Sequence, residues 1–324
     1  MRNLTSQLIV VTLLLSSFVI IGGSTLVAEE KVNQKAVLVT GASTGIGRMI
    51  TENLAAKGYF VYAGARKEKD LKSLNLIKNV QSVRLDVTRQ DEIDAAVDLI
   101  TKAGRGLDGL VNNAGVAIFS ALIEAEQSEM DFLFNVNVFG VVNVTKAFSP
   151  LIIKSKGRIT TIGSTSGIGS GQFFGPYSMT KHAVEAYTDS LAIEMAKFDV
   201  KVSVVEPGNY DSKIVESLLK HMKSKSINFD KSLYKEEYLK LIEGYGADRS
   251  QFKSPEEVAA SVEDALFSEK PKRRYLTVPN QGEAEWVITT MLRELAQLNA
   301  GHEYTYSREE LIKMLDEQLE SVKK

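Results

Sequence analysis

Residues 36–47 read AVLVTGASTGIG and run directly into RMITENLAAKG, residues 48–58, which reads as a helix. An apolar β-branched run, a loop with glycines at 41, 45 and 47, and a helix start follow one another without a gap. Glycine lets the chain turn tightly and lets its backbone approach a diphosphate, whose charge is favoured by free N–H groups at a helix amino terminus. Thr40, Gly41, Ser43, Gly45, Ile46 and Gly47 are the candidate contacts in this loop. A turn that only needs positive φ at its glycines reads the same letters without a ligand.

The pattern repeats outward from this unit. FVYAGA (60–65), VQSVRLDV (80–87), GLVNNAG (109–115), GRITTIGS (157–164), KVSVVEP (201–207) and RRYLTVP (273–279) are further short apolar runs bounded by turn residues, with helix-sized segments between them. That alternation predicts an α/β fold, a doubly wound parallel sheet of seven strands covered by helices on both faces. The expected Rossmann domain spans 35–280, with a helical flap at about 213–253 and a helical extension over 281–324 whose two helices flank NAGHEYTYS. In a dinucleotide site the end of the second strand meets the adenosine ribose, where a carboxylate selects the 2′-hydroxyl of NAD. Here Ala65 stands at that strand end and Arg66 follows, a guanidinium suited to bidentate phosphate contact, so NADP is expected in preference to NAD. Arg48 is a second basic candidate, and a solvated Arg in a basic loop is the plain alternative for Arg66.

Composition narrows the classes. The chain has 324 residues, 44% apolar and 25% charged, enough for a full core. With 39 basic against 41 acidic residues and no basic block, no nucleic-acid partner is expected. There is no cysteine, and the three histidines, His182, His221 and His302, have no ligand spacing, so no metal site is expected. Residues 8–28, LIVVTLLLSSFVIIGGSTLVA, carry no charge; they read as a signal peptide ending near Ala28 or as a single membrane anchor, about 20 residues being enough to span. Flanking charge does not choose between the two. An exported soluble protein would stand apart from reduced cofactor, so an anchored protein facing a cofactor-containing compartment is preferred to a cleaved and exported one.

Tyr177 and Lys181 stand four apart in GPYSMTKHAVEAY (175–187) and share one helical face. A free phenol has a pKa of about 10; a neighbouring ammonium is expected to lower it and make the pair a general acid/base. An exposed helix pair is the ordinary alternative. Phe173 and Phe174, in GIGSGQFFG (167–175), form either an apolar substrate wall or plain loop packing.

The motifs TGASTGIG (40–47), LDVT (85–88), NNAG (112–115), NVNVFG (135–140), GSTSG (163–167), YSMTK (177–181) and EPGNYDS (206–212) occur in one chain and in this order. Together they resemble the short-chain dehydrogenase/reductase family, most of all its retinol, hydroxysteroid and hydroxybutyrate dehydrogenase branch. The resemblance implies a catalytic tetrad of Asn137, Ser164, Tyr177 and Lys181. It also implies adenine contacts at Asp86 and Val87, a cofactor cleft lined by Asn112, Asn113, Ala114 and Gly115, and nicotinamide contacts at Pro207, Gly208 and Ser212. Ser212 stands where the family often has Thr. Tyr177 and Lys181 would also touch the cofactor, and Asn137 would place a water beside Lys181. The expected reaction interconverts an alcohol and a ketone or aldehyde by hydride transfer on a small molecule, preferably a lipophilic one such as a retinoid, steroid or fatty-acid derivative. A homodimer or homotetramer built on the helices at 127–153 and 175–198 is expected. A catalytically silent NAD(P)-binding sensor and a membrane-tethered scaffold are the alternatives.

Overall fold

The computed structural model describes residues 34–212, Ile214, 231–246 and 252–322. The signal or anchor segment at 1–28, His221 and much of the expected flap lie outside the described residues. In chain order the elements begin β1 (Ala36–Val39), α1 (Gly45–Ala56), β2 (Phe60–Ala65), α2 (Glu68–Leu74), β3 (Val80–Arg84), α3 (Gln90–Ala103) and β4 (Gly109–Asn112). Next come α4 (Gln127–Phe134), a π-helical turn (Asn135–Phe139), α5 (Gly140–Ser155), β5 (Arg158–Ile162), α6 (Gly175–Met195) and β6 (Lys201–Pro207). The chain ends with α7 (Lys235–Gly246), α8 (Glu256–Phe267), β7 (Arg274–Thr277), α9 (Gln281–Leu298) and α10 (Arg308–Ser321).

The seven strands form one parallel sheet in the order β3-β2-β1-β4-β5-β6-β7. Successive side chains of a strand face opposite sides, and β1 shows the consequence. Val37 and Val39 join the core under α1 and α8, whereas Ala36 and Leu38 join the core under α3, α5 and α6. Both faces are covered, which is why the central strand β1 is apolar throughout rather than alternating. The order reverses between β1 and β4, and such a switch point opens a crevice at the strands' carboxyl ends.

Four predicted strands end early, β5 at Ile162 and β7 at Thr277 among them. The ladder of β3 stops at Arg84 although Leu85 and Val87 are buried, and that of β4 stops at Asn112. At the first of these the chain turns because Asp86 Oδ1 accepts hydrogen bonds from Thr88 N (3.0 Å) and Thr88 Oγ1 (2.7 Å). Burial without pairing is what an apolar pattern alone cannot separate from a strand.

Candidate active site

The phosphate loop closes against the end of β4. Asn113 Nδ2 donates to the carbonyls of Thr40 (2.9 Å) and Gly41 (3.2 Å), while Thr40 Oγ1 accepts from the N–H groups of Asn113 and Ala114, both at 3.0 Å. Gly41 has φ +65°, and a Cβ at Gly47 would overlap Asn113 Nδ2 and the Gly41 carbonyl. These two glycines are therefore required by backbone conformation and by close approach. The Thr44 side chain does not cap α1, so the first turn at Gly45, Ile46 and Gly47 presents its N–H groups to the crevice. A diphosphate fits this cradle. Ser43 is partly buried in the same loop, and Val87 packs against Gly140 at the start of α5.

At the end of β2, Arg66 is half-exposed, with Nη1 at 3.6 Å from Asp86 Oδ2. Burial pushes the Asp86 carboxyl up, but the Thr88 hydrogen bonds and Arg66 outweigh it and leave the group below its usual range. Arg48 is occupied elsewhere: its Nε meets Glu52 Oε1 at 2.6 Å within α1.

Ser164 follows β5 in extended conformation and caps a short turn, its Oγ accepting from Ser166 N at 3.1 Å. Tyr177 lies in the first turn of α6 and Lys181 in the next. The Tyr177 phenol is pushed up to about 12 by burial, with the Ser164 hydroxyl holding it back through a hydrogen bond. Lys181 Nζ donates to the Ile162 carbonyl at 2.8 Å and stands 5.7 Å from the Tyr177 ring centroid. Burial lowers the ammonium to about 8, against the opposing pull of Glu185. The expectation that Lys181 lowers the phenol's pKa is thus corrected. In the protein's own field desolvation wins, because the ammonium is spent on a backbone carbonyl and lies by the ring.

Asn137 sits inside the π-helical turn and is buried. Its amide nitrogen donates to the Val116 carbonyl (2.8 Å) and to Thr180 Oγ1 (3.1 Å), and its oxygen accepts from Val116 N (2.9 Å). Asn137 therefore ties the loop beyond Gly115 to the residue before Lys181. Asn112 donates to Thr145 Oγ1 at 2.8 Å and braces the same loop from behind. Pro207 ends β6, and Gly208 N donates to the Thr277 carbonyl at 2.9 Å. Ser212 is partly buried just beyond this loop. The structure thus gathers Ser164, Tyr177, Lys181 and Asn137 at the carboxyl ends of β4 and β5, beside the cradle.

Sequence reading missed what lies behind Lys181. Arg274 Nη1 contacts Glu185 Oε2 (2.6 Å) and Glu206 Oε1 (2.7 Å), and its Nη2 contacts Asp189 Oδ2 (2.6 Å). Glu185 and Glu206 are buried, and burial raises both carboxyls, each aided by a neighbouring acid; Arg274 opposes the rise. Glu185 Oε1 has no hydrogen-bond partner and packs against Gly163, next to Ser164. The spacing of Lys181 and Glu185 was a visible signal, but it reads first as an exposed helix pair.

Phe174 packs within the loop, whereas Phe173 both packs and lines the cavity beside it. Phe173, at φ +67°, stacks on Tyr238 of α7 with centroids 4.4 Å apart, and Phe174 meets Phe119 at 4.0 Å. Ala121 N donates to the Tyr238 hydroxyl at 2.6 Å, completing the attachment of α7. Beside this cluster lies a cavity of about 300 Å³ lined by Ser120, Leu122, Ile123, Gln172, Phe173 and Tyr234, with Leu122 and Ile123 exposed at its rim. Neither Ser164 nor Tyr177 lines it.

Comparison with known proteins follows this geometry. Residues 35–223 match the short chain dehydrogenase family. Mitochondrial D-beta-hydroxybutyrate dehydrogenase of Bos taurus is 39% identical over 204 residues, 60% of this chain and 59% of that protein, so the match spans little more than half of the relative. NADPH-dependent 3-dehydrocapnine reductase of Ornithobacterium rhinotracheale is 33% identical over 253 residues, 75% of this chain and 88% of that protein. Among solved structures, a short-chain dehydrogenase from Streptomyces avermitilis superposes with a TM-score of 0.69 at 28% identity, covering 82% of this chain and 94% of that one.

Proposed function

Because the chain belongs to the short chain dehydrogenase family, we propose that it is an NADP-preferring oxidoreductase interconverting an alcohol and a ketone or aldehyde. The observation that carries this reading is buried Lys181, donating to the Ile162 carbonyl beside the Tyr177 ring and Ser164, at the edge of a glycine cradle shaped for a diphosphate. Thr40, Gly41, Ser43, Gly45, Ile46 and Gly47 would hold the diphosphate, and Arg66, Asp86 and Val87 the adenosine end. Asn113, Ala114 and Gly115 would line the cleft, with Pro207, Gly208 and Ser212 by the nicotinamide. The bound nicotinamide supplies or accepts the hydride. Tyr177, held protonated by its high pKa, gives its proton to the carbonyl oxygen, and Ser164 steadies that oxygen by a hydrogen bond. Lys181, near 8, is placed to hold and return a proton in the neutral range. Asn137 fixes the loop and helix between which these groups stand.

The preference for NADP rests on Arg66 following Ala65, and the similarity to a reductase whose name includes NADPH dependence supports it. Arg66→Ala is expected to weaken NADPH binding about five- to tenfold and to leave NADH binding unchanged, since one exposed charge-assisted contact to the 2′-phosphate is lost. Titration of both nucleotides into the full chain checks this; equal losses for both would refute the assignment. The exposed Leu122 and Ile123 at the cavity rim support a lipophilic substrate. NADPH-linked reduction of a retinoid, steroid or fatty-acyl ketone in preference to a short keto acid tests that class. Exposed Phe132, Phe139, Met179 and Ile193 on α4, the π-turn and α6 support self-association of these helices. The apolar segment at 8–28 supports residence at a membrane, and sequencing the mature amino terminus separates a retained anchor from a cleaved peptide.

A further inference from the structure

Helix α9 lies beyond the 35–223 family match, yet its first turns touch two of the loops that flank the proposed chemistry. Glu283 Oε2 accepts from Asn209 N at 2.8 Å and lies against the Cα of Gly208, where any Cβ would overlap it. One turn on, the Trp286 ring covers Gly169 of the loop between Ser164 and Tyr177; a Cβ there would stand 2.7 Å from Trp286 Cη2. Glu283 and Trp286 are three residues apart and so share a helical face. Asn280 fixes the Glu283 end, capping α9 by accepting from Glu283 N at 3.0 Å and donating to its Oε1 at 3.1 Å.

The remainder of the helix is weakly held. Val287 is its one buried residue; Ile288, Met291, Leu292, Leu295 and Leu298 are exposed, and Trp286, 43% exposed, keeps one side of its ring on Gly169. Its attachment is therefore concentrated at the end that meets the two loops. A helix docked for core stability would instead spend its apolar face along its length. We propose that α9 is a strap coupling the cofactor loop to the substrate loop, with Glu283 the positioning residue for Gly208–Asn209 and Trp286 the positioning residue for Gly169. The proposal rests on the dinucleotide reading above and adds a residue pair that the family's motifs do not contain.

Trp286 is the single tryptophan of the chain, so its emission reports this contact alone. The test is a titration of the full-length chain with NADP⁺, followed in parallel by calorimetry and by Trp286 fluorescence, for the wild type and Glu283→Gln. The wild type is expected to show a saturable emission change in step with calorimetric binding. Glu283→Gln keeps the shape but weakens a charge-assisted bond, so NADP⁺ should still bind, about fivefold more weakly, with the emission change lost. Trp286→Ala, which frees Gly169 only, should raise KM for the carbonyl substrate several-fold with NADPH affinity unchanged. An emission change that persists in Glu283→Gln, or calorimetric binding to the wild type with silent emission, overturns the strap. Absence of calorimetric binding to the wild type overturns the dinucleotide reading and the strap with it.

Discussion

Tyr177→Phe should reduce carbonyl turnover about a thousandfold while leaving NADPH affinity within about twofold, the loss typical of a general acid removed from its place. The phenol is the proposed acid, and a phenylalanine ring keeps the packing of the first turn of α6 while deleting the acidic proton. The pH profile sharpens the test. With the phenol at about 12 it stays protonated across the neutral range, so it imposes no limb on the reduction rate there. Lys181, lowered to about 8, does titrate there; reduction should be level below that pH and fall above it as the ammonium is lost. Single-turnover rates of the wild type and the variant, measured from pH 6 to 9 on the full chain, read both effects. Retention of more than a tenth of the wild-type rate in Tyr177→Phe would remove the residue from the mechanism.

Arg274→Met should cost about 2–4 kcal/mol of folding stability at neutral pH, the range for stripping the partner from buried charges, taken low because the guanidinium is partly exposed. Arg274, on β7, joins Glu185 and Asp189 of α6 to Glu206 of β6. Without it two buried carboxyls face each other with no guanidinium between them. The sign with pH follows from linkage. Glu185 and Glu206 have native pKa values above their ordinary 4.5, so the folded state binds their protons more tightly than the unfolded one. The resulting stability is full below that value and is lost as pH rises through the raised native values. Removing Arg274 raises those values further, so the variant's deficit should be small near pH 4.5 and grow toward alkaline pH. Denaturant melts at several pH values measure this, and a deficit independent of pH would show that Arg274 acts by packing alone.

The sequence is most transparent where chemistry is local. The cradle is legible because Gly41 and Gly47 are demanded by φ and by close approach within one strand–turn–helix unit. The seven parallel strands are legible from their apolar runs, and only their carboxyl ends are misplaced, in β3, β4, β5 and β7. What was hidden depends on distant segments meeting. The spacing of Tyr177 and Lys181 gives their shared face but not the outcome of their electrostatics, since desolvation is a property of everything packed around them. Glu185 is hidden for the same reason: its spacing from Lys181 reads as an ordinary helix pair, and Arg274 and Glu206 come from β7 and β6. The aromatic pair Phe173 and Phe174 needed the docked position of α7 before their roles separated, Phe173 lining the neighbouring cavity as well as stacking on Tyr238.

The seat of Arg274 on the last strand also orders events during synthesis. Domains begin to fold from the amino terminus as the chain emerges. Glu185 and Glu206 are made well before residue 274, and closing α6 onto β6 would then bury both carboxyls without their cation. The strands β1 to β4 carry no member of this charge cluster. A ribosome-bound or truncated chain ending before Arg274 is therefore expected to leave the α6–β6 contact more open to proteases than the chain that includes β7.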